Sequence, residues 1–483
     1  MSMRLNVILR YSGIVLLYVA AFMLLSAGVS FLNDMDSAFY PLILSSLLTS
    51  LLGAFPLLFV PHTEHISNKE GFCIVVGAWV MACIVGTFPY LIWGGEFSVV
   101  NAWFESVSGF TTTGATVLKD IEMLPKGLIF WRSSTAWMGG IGVVMFALVI
   151  LPSLGKTKMT LSNVELSSLA KDNYRYRTHQ IVQILLVVYV GLTCISLFLL
   201  KFAGMGWFDA VNHAMSASAT CGFSTKNNSV AFYDSPLIEA ILAATMTIAG
   251  IHFGLIYATL IGKSKNIFRS EVTRVYFGVI AAGSLLVAGS LYFSDTYPDA
   301  LSSIRHGYFQ FISLLSTSGF ATADTNTWPS LAVMVLIFAS LVCACAGSTS
   351  GGLKIDRVLL FGKMVKARIR RQQHPNAVIR LKVDGIIQDE EALGSTMIFV
   401  VTYFVLIFIS AVVNTFFGLD LQTCITEPVA CIGNVGPGFG VIGSLDNYSS
   451  LPALIRVKST VMMLMGRLEI FGFVQLFFIK WWR

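Results

Sequence analysis

Long apolar runs alternate along the chain with short segments rich in polar and small residues. The long runs lie near residues 7 to 32, 39 to 60, 72 to 94, 133 to 152, 181 to 202, 236 to 261, 275 to 293, 330 to 346, 396 to 418 and 459 to 479. A helix of about 20 residues crosses the hydrocarbon core of a bilayer, so each run predicts a membrane span. The first run follows Arg4 and Arg10 and is too long for a signal-peptide core, which favours a retained span.

Four shorter passages between the long runs repeat one pattern. They read "AWFESVSGFTTTGATV", "AVNHAMSASATCGFST", "GYFQFISLLSTSGFAT" and "TEPVACIGNVGPGFGV". They align on the glycines Gly114, Gly222, Gly319 and Gly436. Nine positions before these glycines stand the polar residues Glu105, His213, Gln310 and Glu427. A further glycine follows each by 26 to 30 residues, namely Gly140, Gly250, Gly347 and Gly466. The pattern indicates a fourfold internal repeat.

The predicted fold is therefore an all-α polytopic membrane protein. Four pseudo-symmetric repeats of long helix, short helix, hairpin and long helix follow two extra N-terminal transmembrane helices. The predicted boundaries place the N-terminal pair at 1–66 and the repeats at 67–155, 156–262, 263–371 and 372–483.

A short helix that ends in the middle of the membrane predicts a site for a cation. Its last carbonyls have no partners within the helix, and irregular backbone cannot face lipid. Four such helices aimed at one axis direct their partially negative C-terminal ends at it. Glycine in each hairpin permits backbone conformations that turn carbonyls toward the axis, where they replace the hydration shell of an ion. The alternative for any one hairpin is a small-residue packing face.

Composition and charge agree with a membrane protein. Of 483 residues 55% are hydrophobic and 12% are charged, against about 25% charged in soluble domains. The net charge of +6 is concentrated in segments 156–179, 263–274 and 354–382, which carry 5, 4 and 9 Lys or Arg residues. Such a bias marks cytoplasmic loops rather than nucleic-acid binding. The eight cysteines form no CxxC pattern and indicate neither a disulfide framework nor zinc.

The motifs resemble those of a known transporter family. "SGFTTTGAT", "TCGFST", "STSGFAT" and "GNVGPGFG", with "WMGGIGVVMFALVILP", "CAGSTSGGLK" and "GRLEIF", are similar to the TrkH branch of the Trk/Ktr/HKT superfamily of potassium transporters, along essentially the whole chain. The resemblance implies a bacterial inner-membrane protein with a pseudo-fourfold pore, selective for K⁺ over Na⁺ when all four filter positions are glycine, as they are here.

The resemblance also implies which residues form the filter. The matching positions are Thr112, Thr113 and Gly114; Thr220, Cys221 and Gly222; Thr317, Ser318 and Gly319; and Asn434, Val435 and Gly436. The middle position differs among the triplets, which is tolerable when backbone carbonyls coordinate the ion. For the polar residues nine positions earlier, anchoring the short helices by hydrogen bonds is favoured over attracting cations at the pore mouth.

A break is expected in the second long helix of the third repeat. As one helix, residues 330 to 371 would extend about 60 Å, twice the hydrocarbon thickness. The segment Ala346, Gly347, Ser348, Thr349, Ser350, Gly351 and Gly352 consists of small or flexible residues that favour helix poorly. The resemblance implies an intramembrane gating loop here, and the alternative is a simple kink.

Arg467 is a charge inside an apolar span. Such a residue usually faces the bundle interior or an aqueous cavity, because insertion at the membrane centre costs at least about 2.5 kcal/mol. In the resembling family this arginine stands beside the pore below the filter, where its charge repels cations or its hydrogen bonds hold the loop. The alternative is a structural ion pair with Glu469 or an acid on a neighbouring span.

The sequence is compatible with more than one driving force, and the resemblance implies the partners. Uptake can run on the membrane potential, about 2.3 kcal/mol per 100 mV, or on a coupled H⁺ or Na⁺. The resemblance implies a homodimer and a cytosolic nucleotide-binding regulatory subunit, and the basic segments can also contact membrane lipid. No covalent cofactor is expected. A secondary transporter of another solute is less favoured because four parallel repeats are present, and the sequence shows no catalytic motif.

Overall fold

The computed structural model of the protein is built almost entirely of helices. It describes residues 4–61, 63, 67–150, 178–262, 266–376 and 379–474. Within these residues, six helices are long and apolar enough to cross a membrane, and one bent pair of helices adds a further candidate span. The only strands described are β1 (Lys382–Val383) and β2 (Ile386–Ile387), an antiparallel hairpin that supplements the predicted all-α fold.

The first two helices form a pair beside the repeats. They are α1 (Leu5–Leu32) and α2 (Phe39–Phe59). A Cβ atom added to Gly13 would lie 2.5 Å from the carbonyl oxygen of Gly53, so the two backbones touch where the helices cross. Small residues allow this close approach between membrane helices. Helix α1 also packs against the first and last helices of the first repeat, which attaches the pair to the pore.

The four repeats follow in the predicted order. Repeat 1 contains α3 (Asn68–Gly86), α4 (Phe88–Trp93), α5 (Val99–Phe110) and α6 (Lys126–Ile150). Repeat 2 contains α7 (Thr178–Phe202), α8 (Trp207–Ser218), a 3₁₀ helix (Ser229–Tyr233), α9 (Pro236–Ala249) and α10 (Phe253–Leu260). Repeat 3 contains α11 (Glu271–Phe293), α12 (Ala300–Leu315), a 3₁₀ helix (Thr325–Thr327), α13 (Ser330–Val342) and α14 (Ile355–Gln373). Repeat 4 contains α15 (Glu390–Thr415), α16 (Leu421–Ile432), two 3₁₀ helices (Gly440–Ile442 and Tyr448–Ser450), α17 (Ala453–Arg467) and α18 (Ile470–Val474).

The short helices α5, α8, α12 and α16 are the pore helices. Three of them have 12 residues and α12 has 16, so they extend about 18 to 24 Å, which is too short to cross a hydrocarbon core of about 30 Å. Three begin at a side-chain cap, in which Ser98, Asp299 or Asp420 accepts a hydrogen bond from a backbone N–H of the first turn. These caps satisfy part of the exposed N-terminal backbone of each helix.

The second long helix differs among the repeats. Helix α6 runs without interruption through Gly140, whereas α9 and α10 are bent by 101° just after Gly250. The runs 236 to 261 and 459 to 479 each predicted one membrane span. Neither is one continuous helix within the described residues, although the bent pair α9 and α10 together is still a candidate span. The second run is interrupted between Arg467 and Ile470, where Glu469 has a φ of +56°.

The predicted break in the third repeat is present and longer than expected. Helix α13 ends at Val342 and α14 begins at Ile355, so the irregular segment contains the predicted 346–352. The predicted boundary between residues 155 and 156, the one at residue 66 and most of the basic segment 156–179 lie outside the described residues.

Candidate functional site: a ring of four backbone hairpins

Each pore helix ends in the same hydrogen-bonded turn. The N–H of the middle triplet residue donates to the carbonyl five residues earlier, and the N–H of the first triplet residue donates to the carbonyl three residues earlier. The first set pairs Thr113 with Ser108, Cys221 with Ser216, Ser318 with Ser313 and Val435 with Ala430, at 2.8 to 3.0 Å. This pair of bonds is the Schellman motif, which closes a helix on a residue with positive φ.

The backbone of the four triplets follows one pattern of φ. The first residues have positive φ: Thr112 (+54°), Thr220 (+53°), Thr317 (+62°) and Asn434 (+53°). The last residues do too: Gly114 (+77°), Gly222 (+88°), Gly319 (+76°) and Gly436 (+96°). A β-branched threonine in the left-handed region costs about 1–2 kcal/mol. Three threonines held there indicate a functional demand on the backbone.

The four triplets form a closed ring. A Cβ atom added to Gly114 would overlap the carbonyl oxygen of Cys221, the middle residue of the next triplet. The same relation joins Gly222 to Ser318, Gly319 to Val435 and Gly436 to Thr113. Each glycine therefore faces the middle carbonyl of the following repeat, and the last repeat returns to the first. No side chain fits between the neighbours at these four positions.

Three of the four polar residues nine positions before the glycines anchor the segment that leaves the ring. Glu105 accepts hydrogen bonds from the backbone N–H of Val117 at 3.2 Å and the hydroxyl of Thr116 at 3.1 Å. His213 bonds the hydroxyl of Ser224 through Nε2 at 3.0 Å, and Gln310 donates to the carbonyl of Ala323 at 3.0 Å. These contacts agree with the anchoring role that the sequence favoured.

Glu427, the fourth of these residues, is bonded differently. Its carboxylate accepts from Nζ of Lys458 and Nδ2 of Asn414, at 2.6 and 2.8 Å, and from the hydroxyl of Ser459. The segment after the fourth glycine is held instead by Thr426, whose hydroxyl accepts from the N–H of Phe439 at 3.0 Å. In this repeat the buried acid joins the pore helix to both long helices.

Arg132 is a buried partner that the sequence did not reveal. Its Nε lies 2.7 Å from Glu105 Oε1, both side chains are almost completely buried, and the guanidinium carbon lies 4.2 Å from the ring centroid of Phe223 in the next repeat. The pair joins repeat 1 to repeat 2 directly behind the ring. Arg132 and Lys458 each stand one residue before an apolar run, at 133 and 459, so the sequence alone does not distinguish them from charges that flank a span.

The segment between α13 and α14 lies against the inner end of the ring. The backbone N–H of Gly351 donates to the hydroxyl of Thr317 at 3.2 Å. The hydroxyl of Thr349 donates to the carbonyl of Ser218 at 3.1 Å and lies 3.4 Å from that of Thr220. A Cβ atom at Gly351 would lie 2.6 Å from Oδ1 of Asn434. The segment thus touches the first triplet residues of repeats 2, 3 and 4.

Arg467 holds this segment from the side of repeat 1. Its Nη1 donates to the carbonyl of Thr349 and its Nη2 to the carbonyl of Gly139 on α6, both at 2.7 Å. Glu469 contacts other cations, since its carboxylate lies 2.7 Å from Arg357 and 3.7 Å from Lys354 at the start of α14. The alternative of an Arg467–Glu469 pair is therefore not what the structure contains.

The other end of the segment is bonded to α14 and to the break between α9 and α10. The N–H of Ala346 donates to Oδ2 of Asp356 at 2.6 Å, and the N–H of Cys345 donates to the carbonyl of Gly250 at 3.0 Å. The carbonyl of Gly347 accepts from the N–H of Phe253 at 3.1 Å. The breaks in the second and third repeats are therefore bonded to each other.

Acidic side chains occur in the polar loops that follow the triplets. Partial burial and the nearby charge of Asp324 raise the pKa of Asp446, whose carboxylate accepts from Asn326 at 3.2 Å. A hydrogen bond from Asn227 lowers the pKa of Asp120. Among the described residues, no group of three or more His, Cys, Asp or Glu residues is arranged to hold a metal ion.

All predicted filter and gate residues are therefore described, and they meet at one place. Four hairpins that close one ring, within a helical chain that contains several membrane-spanning-type helices, are typical of membrane proteins that transport cations. Comparison with known proteins gives the family. The family model described as "TrkH: Cation transport protein" matches residues 43–481. The chain belongs to the TrkH family.

Curated relatives agree along most or all of the chain. The Trk system potassium uptake protein TrkH of Salmonella typhimurium is 35% identical over 422 residues, 87% of each chain. TrkH of Halomonas elongata is 32% identical over 487 residues, all of both chains. The crystal structure of the potassium transporter TrkH from Vibrio parahaemolyticus superposes with a TM-score of 0.89 at 29% identity, covering all of both chains. The predicted family, fold class and inner-membrane location are confirmed.

Proposed function

We propose that the protein takes up K⁺ across the bacterial inner membrane through the ring of four triplets. One observation carries the proposal. Among the described residues, no donor is bonded to any triplet carbonyl oxygen except that of Gly436. Nine of the twelve triplet residues are buried. Buried carbonyls nearly always have a partner, because leaving one unpaired is costly. A dehydrated monovalent cation supplies the missing partner at the negative ends of the pore helices. The relatives named as potassium transporters support K⁺ as that cation.

The proposed K⁺ ligands are the backbone oxygens of the predicted filter residues. They belong to Thr112, Thr113, Gly114, Thr220, Cys221, Gly222, Thr317, Ser318, Gly319, Asn434, Val435 and Gly436. Threonine hydroxyls are less suited to the role, because those of Thr220 and Thr317 contact the segment beneath the ring. No covalent cofactor enters the proposal, and K⁺ is the substrate.

The segment Ala346–Gly352 and Arg467 are the proposed gate. The segment lies against the inner end of the ring, and Arg467 adds a positive charge there while bonding its backbone. A cation leaving the ring toward the cytosol meets both. Conduction then requires the segment to move away, and its small residues and two positive-φ glycines, Gly347 and Gly352, allow this with little steric cost.

Control by a cytosolic nucleotide-binding subunit and a homodimeric assembly are part of the proposal. The relatives carry the name of a Trk system, and α14 presents a basic helix that continues directly from the proposed gate. A partner or anionic lipid that pulls on α14 would move Asp356, which is bonded to the first residue of the loop. Nucleotide would act only through the partner.

Gated conduction driven by the membrane potential is favoured over obligatory coupling to H⁺ or Na⁺. The ring presents uncharged carbonyls, and a monovalent cation gains about 2.3 kcal/mol per 100 mV on moving inward. The alternative, a coupled symporter, predicts K⁺ flux that stops when the co-ion is removed. A transporter for another solute and an enzyme are not supported by the geometry of the ring.

Uptake is tested in cells that lack their own potassium uptake systems. The chain should restore growth on low potassium, alone or with a Trk-type partner subunit. In proteoliposomes with a set membrane potential, K⁺ flux should exceed Na⁺ flux and persist without an H⁺ or Na⁺ gradient. Failure of the well-expressed protein to move K⁺ in both assays, with the partner present, would rule the proposal out.

The gate is tested by shortening the loop. Deletion of residues 347–351 should raise K⁺ flux per folded molecule, because the obstruction beneath the ring is removed. The matched control deletes the equally long loop segment 119–123, which follows the first triplet and is not part of the proposed gate. This deletion should not raise K⁺ flux. Equal flux in the folded loop deletion and the full chain would count against the gate.

A further inference from the structure

Tyr448 lies behind the ring and reaches one filter carbonyl. It begins a 3₁₀ helix in the loop between the fourth triplet and α17, and only 2% of it is exposed. Its hydroxyl donates to the carbonyl oxygen of Gly436 at 2.7 Å. Its ring centroid lies 5.2 Å from that of Phe104 on the first pore helix. The loop has thus folded back onto the filter.

Both ends of this residue are fixed. The backbone N–H of Tyr448 donates to the carbonyl of Thr116 at 2.8 Å, and Thr116 belongs to the segment that leaves the first triplet. Next to it, Asn447 caps the N–H of Ser449 at 3.0 Å. Tyr448 therefore joins repeat 4 to repeat 1 across the seam where the ring closes. Because its backbone and its ring are both held, the tyrosine hydroxyl has little freedom to move away from the Gly436 carbonyl.

The fourth glycine differs from the others in its surroundings. Gly114, Gly222 and Gly319 are partly exposed, whereas Gly436 is buried. Of the triplet carbonyls in the described residues, only that of Gly436 accepts a hydrogen bond. Twelve positions after the other glycines stand Lys126, Asp234 and Leu331, so no other repeat has a tyrosine at this offset. The four triplets share one backbone conformation, but the hydrogen bonding of their glycine carbonyls is not fourfold symmetric.

We propose that Tyr448 is a positioning residue that sets the K⁺ over Na⁺ selectivity of the filter through the Gly436 carbonyl. Selectivity depends on the number of coordinating carbonyls, their field strength and their freedom to move inward around a smaller ion. The hydroxyl occupies one lone pair of the oxygen and fixes its position. Without it, the oxygen gains field strength and mobility, and both changes favour the smaller Na⁺. This inference rests on the proposed function.

The test is the substitution Tyr448→Phe, which removes the hydroxyl and keeps the ring against Phe104. The Na⁺ to K⁺ permeability ratio, measured from reversal potentials or paired fluxes in proteoliposomes, should rise about 2- to 10-fold, the range for one hydrogen bond. The matched control is Tyr403→Phe on α15, a buried tyrosine whose hydroxyl is bonded to no described residue. Its ratio should equal that of the unaltered protein.

The outcomes separate the two proposals. If the unaltered protein shows no preference for K⁺, the proposed function fails. If it prefers K⁺ and folded Tyr448→Phe has the same ratio, the inference about Tyr448 is overturned. Should Tyr448→Phe not fold, 3-fluorotyrosine at position 448 keeps the shape and strengthens the donor. The ratio should then fall, and an unchanged ratio would again overturn the inference.

Discussion

The four repeats are alike at the ring of hairpins and differ in the helices beneath it. In the outer half, four pore helices end in the same turn, with the same two positive-φ positions and the same contact with the next repeat. In the inner half, α6 is continuous, α9 and α10 are sharply bent, and α13 and α14 are separated by a loop. The sequences of the four filters vary, yet their backbones agree.

Under the proposed function, the difference follows from where symmetry is required. Coordination of a spherical ion by a ring needs equivalent carbonyls from all sides, so each repeat has the same backbone constraint. Closing and opening a path needs only one moving part, so the repeats are free to differ beneath the ring. The following substitutions test this division.

The largest effect is expected from the buried pair that supports the outer half. Glu105→Gln leaves the charge of Arg132 buried without its carboxylate, which should cost about 3–5 kcal/mol of folding stability. Thermal unfolding in detergent measures the loss. The control is Glu122→Gln, because Glu122 is 41% exposed in a 3.7 Å pair with Lys226 and contributes about 0–1 kcal/mol. Equal unfolding temperatures for the two variants would contradict the assigned role.

A side chain inside the ring should follow. In Gly222→Ala, the methyl group overlaps the carbonyl of Ser318, and the residue is strained at a φ of +88°. Overpacking and strain together amount to about 2–5 kcal/mol, so K⁺ flux should fall about 30-fold or more. Gly278→Ala on α11 is the control, since its Cβ would meet nothing within 4 Å. Normal flux in folded Gly222→Ala would contradict the claim that the ring requires glycine at this position.

Arg467→Ala addresses the inner half and should act in the opposite direction. It removes the charge beneath the ring and two hydrogen bonds to backbone carbonyls. A hydrogen bond from a charged donor contributes about 1.5–3 kcal/mol. K⁺ flux per folded molecule should rise about tenfold or more. Arg371→Ala, at the exposed end of α14, is the control for loss of one positive charge. A fall in flux that tracks loss of folded protein would indicate a structural role instead.

The smallest effect is expected from one hydroxyl of the loop. Thr349→Val keeps the shape of the side chain but removes its hydrogen bond to the Ser218 carbonyl, which is 3.1 Å long. A loss of about 0.5–1.5 kcal/mol should raise K⁺ flux about 2- to 10-fold. Thr247→Val is the control, because its hydroxyl bonds only the carbonyl of Ala243 in its own helix. Identical flux in both variants would mean that this contact does not hold the loop.

The ring of four hairpins was predictable because the internal repeat carried the signal. One glycine after a short apolar segment has many explanations, but Gly114, Gly222, Gly319 and Gly436 share a register with polar residues nine positions earlier. The same register also hinted at the bend after Gly250, since this glycine occupies the offset of Gly347 in the predicted loop. The bend was nevertheless missed, because the run from 236 to 261 is uniformly apolar. Hydropathy does not indicate where a helix axis changes direction.

What the sequence did not reveal depends on contacts between distant segments. Arg132 and Lys458 precede apolar runs and look like flanking charges until the short helices bring Glu105 and Glu427 to them. Tyr448 has no counterpart in the other repeats, so comparison of the repeats could not single it out. Its role follows from the fold of a loop, which hydrophobic periodicity does not encode.

The single irregular loop beneath the ring has a consequence for how such a pore is built. In a pore of four identical subunits, any segment that reaches the axis arrives four times, and four copies of a loop as long as 343–354 would collide there. Here all four repeats lie on one chain, so a single repeat carries the loop while the other three leave room for it. Because the repeats are joined in one polypeptide, a single loop can lie beneath the ring without colliding with copies of itself.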